Sequence, residues 1–216
     1  MGRPGEGLPR WVEAPLALAG LVFASPVLVL VGMLVRLSSP GPVIFRQQRV
    51  GRAGRPFTLF KFRTMAVAGE GPSVTASGDP RITPVGRFLR RTKLDELPEL
   101  WNVLRGEMSF VGPRPEVPEL VDLSNPLWRE VLEVRPGITD PMTLSLRNEE
   151  ELLQESDMPP EVFYREVLQP RKLRGYVEYL RRRSAWADIG VILSTVITVF
   201  MGLSLANREQ NRLGEE

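Results

Sequence analysis

A long apolar stretch, residues 12–35, restricts this chain more than any other feature of its sequence. It carries one charge, Glu13, at its edge, and a helix needs about 20 consecutive apolar residues to cross a bilayer. A cleaved signal peptide is not expected, because no small-residue cleavage site precedes a polar mature start. With 216 residues, the chain has room for one compact domain beside this segment. We therefore expect a small domain attached to a membrane.

Two features argue against a simple transmembrane helix. Ser25 and Pro26 occupy the middle of the stretch, and a proline inside a helix removes one backbone donor and clashes with the preceding turn. Both flanks are also cationic, which favours placing both ends on the cytoplasmic side. The flanking cations are Arg3, Arg10, Arg36, Arg46, Arg49, Arg52 and Arg55. Two interpretations stay open: a proline-kinked span, or a re-entrant helix, broken at Ser25-Pro26, that enters one leaflet and returns. The re-entrant form accounts for both features, with the Ser25 hydroxyl bonding a carbonyl freed at the break.

A second apolar run covers residues 189–206, directly after the three arginines at 181–183. It could span the membrane, lie at the interface or pack against the first segment. Polar residues are embedded in it, namely Ser194, Thr195, Thr198 and Ser204. They favour an interfacial or packed helix.

The composition excludes several kinds of catalysis. The sequence contains no cysteine and no histidine, which removes thiol nucleophiles, disulfides, zinc clusters and imidazole acids or bases. Catalysis would have to use carboxylates, Lys, Tyr, Ser, Thr or a bound ion. A metal would find mainly oxygen ligands, which favour magnesium or manganese over zinc.

The charges are distributed unevenly along the chain. Residues 1–94 carry 14 Lys and Arg against 4 Asp and Glu, whereas residues 95–216 carry 14 against 22. A basic first half suggests contact with anionic lipids, phosphorylated substrates or nucleic acid. Nucleic acid is the least favoured of these partners, because no nucleic-acid-binding motif is present and the aromatic residues do not follow a basic strip.

The remaining residues predict a mostly helical α+β domain with one β-hairpin. Strands at 43–50 and 56–62 flank a turn at 51–54, and small residues, Gly and Pro mark a loop at 66–82. Thr83 and Pro84 begin a helix that runs to Arg91. The next helix is expected from Asp95 to a stop at Gly106. Further helices are predicted at 116–123, 126–134, 149–157 and 160–183, the last interrupted at Pro170. The expected divisions are 1–37, 38–183 and 184–216.

The adjacent acids Asp95 and Glu96 are the best candidates for chemistry. Adjacent helical positions point about 100° apart, so the two carboxylates cannot have the same role. Near a helix start, unpaired N–H groups and the helix dipole favour an ionised Asp95. An ionised carboxylate can act as a nucleophile or as a magnesium ligand. Acidic residues also commonly cap helices, and taken alone this pair would be explained that way.

Cations near the acid pair indicate a phosphate site. Arg114, in the turn Gly112-Pro113-Arg114-Pro115, can bind two phosphate oxygens at once through its planar guanidinium. Lys61 and Arg63 at the end of the hairpin would complete a cationic wall. Arg90, just before the acid pair, can help to attract a diphosphate. A structural salt bridge is the alternative for Arg114.

Six ordered motifs together resemble the bacterial sugar transferases, the monotopic polyprenyl-phosphate phosphoglycosyl transferases, in their minimal catalytic form. The similarity runs from the broken apolar segment to about Thr139, and more loosely to the final helix. The motifs are Ser38-Ser39-Pro40-Gly41-Pro42-Val43-Ile44-Phe45, Lys61-Phe62-Arg63-Thr64-Met65, Leu94-Asp95-Glu96-Leu97-Pro98, Asn102-Val103-Leu104-Arg105-Gly106, Gly112-Pro113-Arg114-Pro115 and Pro136-Gly137-Ile138-Thr139.

This resemblance implies transfer of a sugar-1-phosphate from a UDP-sugar to undecaprenyl phosphate, with release of UMP. Asp95 would form a covalent phosphosugar intermediate, Glu96 would be tied to Mg²⁺, and Arg114 would bind phosphate. Ser25-Pro26 would make the re-entrant turn. The expected location is the bacterial inner membrane, as a monotopic protein with its catalytic domain on the cytoplasmic face. The implied partners include anionic lipids, downstream glycosyltransferases of a surface-glycan pathway and a second copy in a homodimer.

One segment departs from the family pattern. Many members continue after Thr139 with Gly-Trp-Ala-Gln-Val, whereas this chain has residues 140–144 as Asp-Pro-Met-Thr-Leu. The pattern returns at Arg147, a further candidate for phosphate binding. The departure leaves the identity of the sugar open. A non-catalytic membrane scaffold for glycan assembly is the alternative function.

Overall fold

The computed structural model describes residues 7–66, 79–146 and 149–213. Within them the chain is mostly helical with two small two-stranded sheets, which confirms the predicted α+β class and its short hairpin. Most of the loop predicted at 66–82 lies outside the described residues. The strands are β1 (Ile44–Val50), β2 (Pro56–Phe62), β3 (Ser109–Val111) and β4 (Gly137–Thr139). The helices are α1 (Arg10–Ser38), α2 (Pro84–Thr92), α3 (Glu99–Arg105), α4 (Pro126–Val131), α5 (Pro141–Ser145), α6 (Glu149–Glu155), α7 (Pro160–Phe163), α8 (Gln169–Arg182) and α9 (Ala185–Leu213).

The apolar segment forms one helix, α1, which contains Pro26 in its interior. The predicted break into two helices is therefore corrected. Pro26 has no N–H to donate to the carbonyl of Val22, and the Ser25 hydroxyl bonds that carbonyl at 2.8 Å. This replacement was expected for a break, and it lets the helix continue instead. What stays a prediction is the part of the re-entrant path that places both ends of α1 on one side of the membrane.

Both ends of α1 contact the body of the protein. Near its start, Arg10 donates to the carbonyls of Val103 and Leu104 at the end of α3. Near its end, Val31 and Val35 are buried against Phe62, Leu89 and their neighbours. The middle is different, because the most apolar window of the helix has a mean hydropathy of 2.5 and is only 11% buried. By length and composition α1 is suited to a membrane, while its two ends are fastened to one body.

The hairpin matches the prediction and gives the site one of its walls. β1 and β2 pair antiparallel, with Phe45 opposite Lys61 and Arg49 opposite Phe57. Directly opposed residues share a face of the sheet. The free edge of β2 is covered by Asn102 of α3, which accepts from the Phe60 amide at 3.2 Å and donates to the Thr58 carbonyl at 2.7 Å.

The structure corrects the helix expected to begin at Asp95. Lys93, with a left-handed φ of 58°, ends α2, and Leu94–Glu96 form a single 3₁₀ turn. Pro98 cannot donate to the carbonyl of Leu94, which accepts from Leu97 at 3.4 Å instead. The α-helix starts only at Glu99 and ends, as expected, at Gly106 with a φ of 81°. Asp95 consequently does not lie at the start of an α-helix.

A short parallel sheet, which the sequence analysis did not predict, holds the turn that carries Arg114. Ser109 pairs with Gly137 and Val111 with Thr139. The backbones of Gly112 and Gly137 approach so closely that a Cβ on Gly137 would overlap the amide of Gly112. Only glycine fits this approach.

The C-terminal half is less regular than expected. Only the 3₁₀ turn Pro118–Leu120 forms within the helix predicted at 116–123. The long helix predicted at 160–183 contains a π-helical turn, Tyr164–Leu168, just before Pro170. Such a turn accommodates the missing proline N–H. The first turn of α9 is packed on the body, where Asp188 bonds to Arg183, Tyr179 and the Leu8 amide. This supports the packed form of the predicted final helix.

Candidate active site

Glu96 is the centre of a buried cluster of charges. Its Oε1 atom lies 2.8 Å from an Nη atom of Arg114, 3.2 Å from Nζ of Lys61 and 3.9 Å from Nζ of Lys93. Burial by itself would raise the pKa of Glu96, but Lys61, Arg114 and Lys93 outweigh it and hold that pKa well below the usual range. Glu96 is therefore ionised and fixed by its cations.

Glu99 is a second buried acid on the same lysine. Its Oε1 atom is 3.0 Å from Nζ of Lys61, and 2% of the residue is exposed. Burial and the charge of Glu96 raise the pKa of Glu99 to about 7, against the opposing effects of Lys61 and Arg114. The sequence analysis missed Glu99, although a residue three positions after Glu96 lies about one helical turn further on and can share its partners.

Asp95 faces a different environment from Glu96. It is 7% exposed, and its Oδ1 atom is buried without a hydrogen-bond partner in the described part of the chain. Burial and the neighbouring Glu96 raise the pKa of Asp95, while Lys61, Lys93 and Arg114 oppose the rise. The sequence argument for an ionised Asp95 at a helix start is corrected here: the cations, not a helix dipole, favour its charged form. A buried carboxylate oxygen that has no hydrogen-bond partner can accept a bond from a ligand.

Arg114 is held in place from the hairpin. Arg49 of β1 donates to the carbonyl of Pro115 at 3.0 Å and lies 3.9 Å from Glu116. The Val50 amide donates to the Glu116 carbonyl at 2.9 Å. The charge of Glu96 raises the pKa of Arg114 well above its usual value, despite burial. The turn predicted to present one guanidinium does so, directed at Glu96.

Two predicted phosphate-binding residues are not shown at this cluster. Arg63 is buried and donates to the carbonyls of Pro40 and Ser39, at 2.9 and 2.6 Å. It fastens the end of β2 to the segment after α1, so its assignment to the cationic wall is not supported. Arg90 lies on α2, where its charge lowers the pKa of Asp79, an effect secondary to the bond from Arg81. Arg147 lies outside the described residues.

Further residues around the cluster were missed by the sequence analysis. Asp140 is 1% exposed and accepts from the amide of Thr143 at 2.8 Å, capping α5. Burial raises its pKa, and Arg114 is near enough to oppose the rise. Arg49 shares its hairpin face with Lys61, so strand alternation could have identified it. The Asp140 cap is also a local signal, since Asp before Pro141 is typical of a helix start, but the effect of Arg114 on Asp140 arises only in the fold.

The acid pair fits Mg²⁺ only in part. In the described ranges, no three acidic side chains come together to hold an ion by themselves. Magnesium, however, is often bound by one or two carboxylates together with substrate phosphates. The unpartnered Oδ1 atom of Asp95 suits that arrangement. Oε1 of Glu96 suits it less, because Lys61 and Arg114 already contact it.

Sequence comparisons relate this chain to proteins of one family. The family model described as bacterial sugar transferase matches residues 6–202. Over 204 residues, 90% of the chain, it is 39% identical to the UDP-glucose:undecaprenyl-phosphate glucose-1-phosphate transferase of Escherichia coli K12. It is 37% identical over 210 residues to a protein of the same name from Caulobacter vibrioides, covering 90% of this chain and 73% of that protein.

A relative named for another sugar is similar over nearly the same length. The UDP-N-acetylgalactosamine-undecaprenyl-phosphate N-acetylgalactosaminephosphotransferase of Aeromonas hydrophila is 32% identical over 202 residues, 89% of this chain. The chain spans 40% of the Escherichia coli relative and 44% of the Aeromonas relative. The similarity therefore covers one part of these longer proteins, and it does not distinguish glucose from N-acetylgalactosamine.

Proposed function

Because this chain belongs to the bacterial sugar transferase family, we propose that it is a phosphoglycosyl transferase acting at a membrane. It moves a sugar-1-phosphate from a UDP-sugar to undecaprenyl phosphate and releases UMP. The names of its relatives support these two substrate classes. The product is the first lipid-linked intermediate of a surface glycan, on which downstream glycosyltransferases act.

The observation that carries this proposal is the difference between two adjacent acids. Oε1 of Glu96 is contacted by both Lys61 and Arg114, whereas the buried Oδ1 atom of Asp95 has no hydrogen-bond partner in the described part of the chain. A nucleophile needs a lone pair that no cation already holds; Oδ1 of Asp95 has one, whereas Oε1 of Glu96 is paired with Lys61 and Arg114. Burial and Glu96 raise the pKa of Asp95, and the cations that fix Glu96 oppose that rise.

The reaction divides into two displacements at one phosphorus atom. An Asp95 carboxylate oxygen bonds to the phosphorus that bears the sugar, and the bond from that phosphorus to the oxygen shared with UMP breaks. UMP leaves with the electron pair. A phosphate oxygen of undecaprenyl phosphate then bonds to the same phosphorus, and the bond to Asp95 breaks, which restores the carboxylate. A covalent intermediate lets two large anionic substrates use one small site in turn.

The cations around Glu96 neutralise charge during both displacements. Negative charge spreads over the transferring phosphoryl oxygens in the transition state. Arg114 is directed into the cluster by Glu96, and its planar guanidinium suits two phosphate oxygens. Mg²⁺, when held by Asp95 and the diphosphate, would supply further charge neutralisation. Lys61 is held by Glu96 and Glu99 from two sides, so its position is set before substrate arrives.

The fastening of α1 supports a monotopic placement, which we propose to be at the inner membrane with the catalytic body on the cytoplasmic face. Arg10 at one end and Val35 at the other both contact the body. A helix that crossed the bilayer would separate these ends by the hydrocarbon thickness of about 30 Å. The body could not touch both without entering the hydrocarbon. The exposed middle of α1 would then lie in one leaflet.

The test is UMP release by purified protein over a panel of UDP-sugars, with Mg²⁺ and undecaprenyl phosphate. We expect Asp95→Asn to lower turnover roughly a thousandfold or more, as loss of a nucleophile does. Asp122→Asn is the matched control, because Asp122 is an exposed acid whose side chain accepts from the neighbouring Ser124. Protein trapped with donor alone should carry the phosphosugar on Asp95, as detected by mass spectrometry. Full activity of Asp95→Asn would overturn the proposal, and the panel would also identify the donor.

A further inference from the structure

An open apolar groove lies between the membrane-suited helix and the catalytic body. Its volume is about 450 Å³, within the range of ligand sites. One wall is α1, with Val29 and Gly32, and the opposite wall is the hairpin and the start of α3, with Phe60, Pro98 and Trp101. A Cβ built on Gly32 would lie in ordinary van der Waals contact with Val43 and Phe62, at 3.6 Å and 3.9 Å.

The groove has one charged side chain among its lining residues, Arg46. The guanidinium carbon of Arg46 lies 5.9 Å from the centre of the Phe60 ring, which keeps the cation at the rim of the apolar wall. A long apolar surface that ends in a single cation is complementary to an amphiphile with an apolar chain and an anionic head. It is a poor match for a polar peptide or a nucleotide.

The groove and the charge cluster share a wall. Phe60 and Pro98 border the groove, and their chain neighbours Lys61 and Glu99 pair at 3.0 Å. Successive residues of a strand point to opposite faces, so the groove runs along one face of β2 and the acids lie on the other. A chain lying in the groove would pass the turn before Pro98, two residues from Glu96.

We propose that this groove binds the first isoprene units of the lipid acceptor and so selects a polyprenyl phosphate over other membrane anions. The proposal rests on the transfer reaction given above. Its occupant must enter from the apolar medium around α1, since that helix forms one side and its central window is only 11% buried. It must also carry an anion to a site lined by Lys61 and Arg114. The acceptor meets both conditions, whereas the UDP-sugar meets only the second.

Two neighbouring substitutions on α1 test the proposal. Val29 lines the groove and is 62% exposed, while Leu30 is 53% exposed and is not among the lining residues. Val29→Trp fills the groove and Leu30→Trp does not. We expect Val29→Trp to raise the KM for undecaprenyl phosphate at least about tenfold, because each methylene that loses its contact weakens binding about fourfold. Leu30→Trp should leave this KM unchanged.

The half-reactions separate this proposal from the proposed function. UMP released in a single burst from donor alone reports the first displacement, and Val29→Trp should keep the wild-type burst. If wild-type protein releases no UMP from any UDP-sugar, the transfer reaction itself is wrong. If the burst is normal but Val29→Trp and Leu30→Trp both match wild type in acceptor KM, the groove proposal is wrong.

Photocrosslinking of wild-type protein avoids any folding defect in the variants. The probe is a polyprenyl phosphate with a diazirine in its first isoprene unit, in vesicles of phosphatidylglycerol and phosphatidylethanolamine. We expect label in the peptides that contain Val29 or Trp101, and competition by undecaprenyl phosphate. Competition by extra phosphatidylglycerol to the same degree would show a general lipid site, and label confined to a contact between two copies would show an interface. Either result overturns the proposal.

Discussion

Asp95 and Glu96 are neighbours in the chain, yet the fold gives them opposite electrostatic environments. Lys61 comes from the hairpin and Arg114 from the turn after β3, and both contact Glu96. Asp95 keeps a buried oxygen without a hydrogen-bond partner among the described residues. Divergent pKa values in adjacent acids are a common sign of divided catalytic roles. The proposed division between a nucleophile and an orienting acid therefore depends on the tertiary structure.

A pH-dependent stability is expected from Glu99. Its folded pKa of about 7 lies above the ordinary value of 4.5. At a pH between these two values the folded state keeps a proton on Glu99 that the unfolded state has lost. The free energy of unfolding therefore falls as the pH rises from the lower value to the higher one. Lys61, Glu96 and Arg114 face Glu99. Glu99→Gln removes the effect, and its melting temperature relative to wild type should rise between about pH 5 and about pH 8.

The measurement is thermal unfolding in detergent at several pH values. Glu119→Gln is the control, because Glu119 is exposed. A difference between Glu99→Gln and wild type that stays constant with pH would contradict the raised pKa of Glu99.

At the scale of single residues, the sequence predicted the acids and the turn arginine but not their partners. Asp95, Glu96, Arg114 and Lys61 do come together in the fold. Glu99 was missed because a residue of α3 becomes part of the site only when α3 lies along β2, whereas strand alternation could have identified Arg49. Arg63 was assigned by proximity in sequence to Lys61, but it follows the last residue of β2 and donates to the carbonyls of Pro40 and Ser39.

At the scale of elements, α1 shows how a proline can sit inside a helix without ending it. The missing bond at Pro26 is offset by the Ser25 hydroxyl. The helix then continues to Ser38, where Arg63 donates to the carbonyl of Ser39 at 2.6 Å. A cation at a helix C-terminus is favourable.

Cysteine labelling tests the path of α1. The chain has no cysteine, and Trp11 and Leu37, near the two ends of α1, are 78% and 84% exposed. Single variants Trp11→Cys and Leu37→Cys should both react with a membrane-impermeant maleimide in inside-out vesicles and not in spheroplasts. The physical reason is that both ends of α1 are fastened to one body. Leu123→Cys, exposed on the body, is the control.

Reaction of the two α1 variants from opposite sides would establish a spanning helix and refute the re-entrant path. Labelling of denatured protein checks that each cysteine can react at all.

Local chemistry explains which elements were predictable. The hairpin and α2 were predicted almost to the residue, because alternation and the Thr83 cap, which accepts from the Gly86 amide at 2.9 Å, are local signals. The parallel pairing of β3 with β4 joins segments that are far apart in sequence, which no local pattern encodes. The 3₁₀ turn at Leu94–Glu96 was missed, although Pro98 signals it, because a proline has no N–H to donate to the carbonyl four residues earlier.

At the scale of the whole molecule, the start of α1 and the start of α9 are joined through one buried acid. Asp188 of α9 is fully buried and contacts Arg183 at 3.0 Å and the Leu8 amide at 2.9 Å. Arg183 in turn donates to the Val111 carbonyl at 2.6 Å. The start of α1, the start of α9 and the strand before Arg114 therefore share one polar junction.

Loss of Asp188 should destabilise the whole protein. Asp188→Ala leaves Arg183 buried without its acid, and breaking a buried pair in this way costs about 3–5 kcal/mol. Denaturant unfolding in detergent measures the change, with the exposed Asp157→Ala as control. The double variant Arg183→Met with Asp188→Leu should recover part of the loss, because it leaves no buried charge. Equal losses in the single and double variants would contradict this account.

The close approach of β3 and β4 limits which substitutions this protein can accept. Since the backbones of Gly112 and Gly137 touch where the turn to Arg114 begins, any side chain introduced at either position would force the strands apart and displace that arginine. Laboratory selection for a new donor sugar should therefore return changes in the divergent stretch after Thr139. Libraries randomised at these two glycines should yield mostly inactive variants.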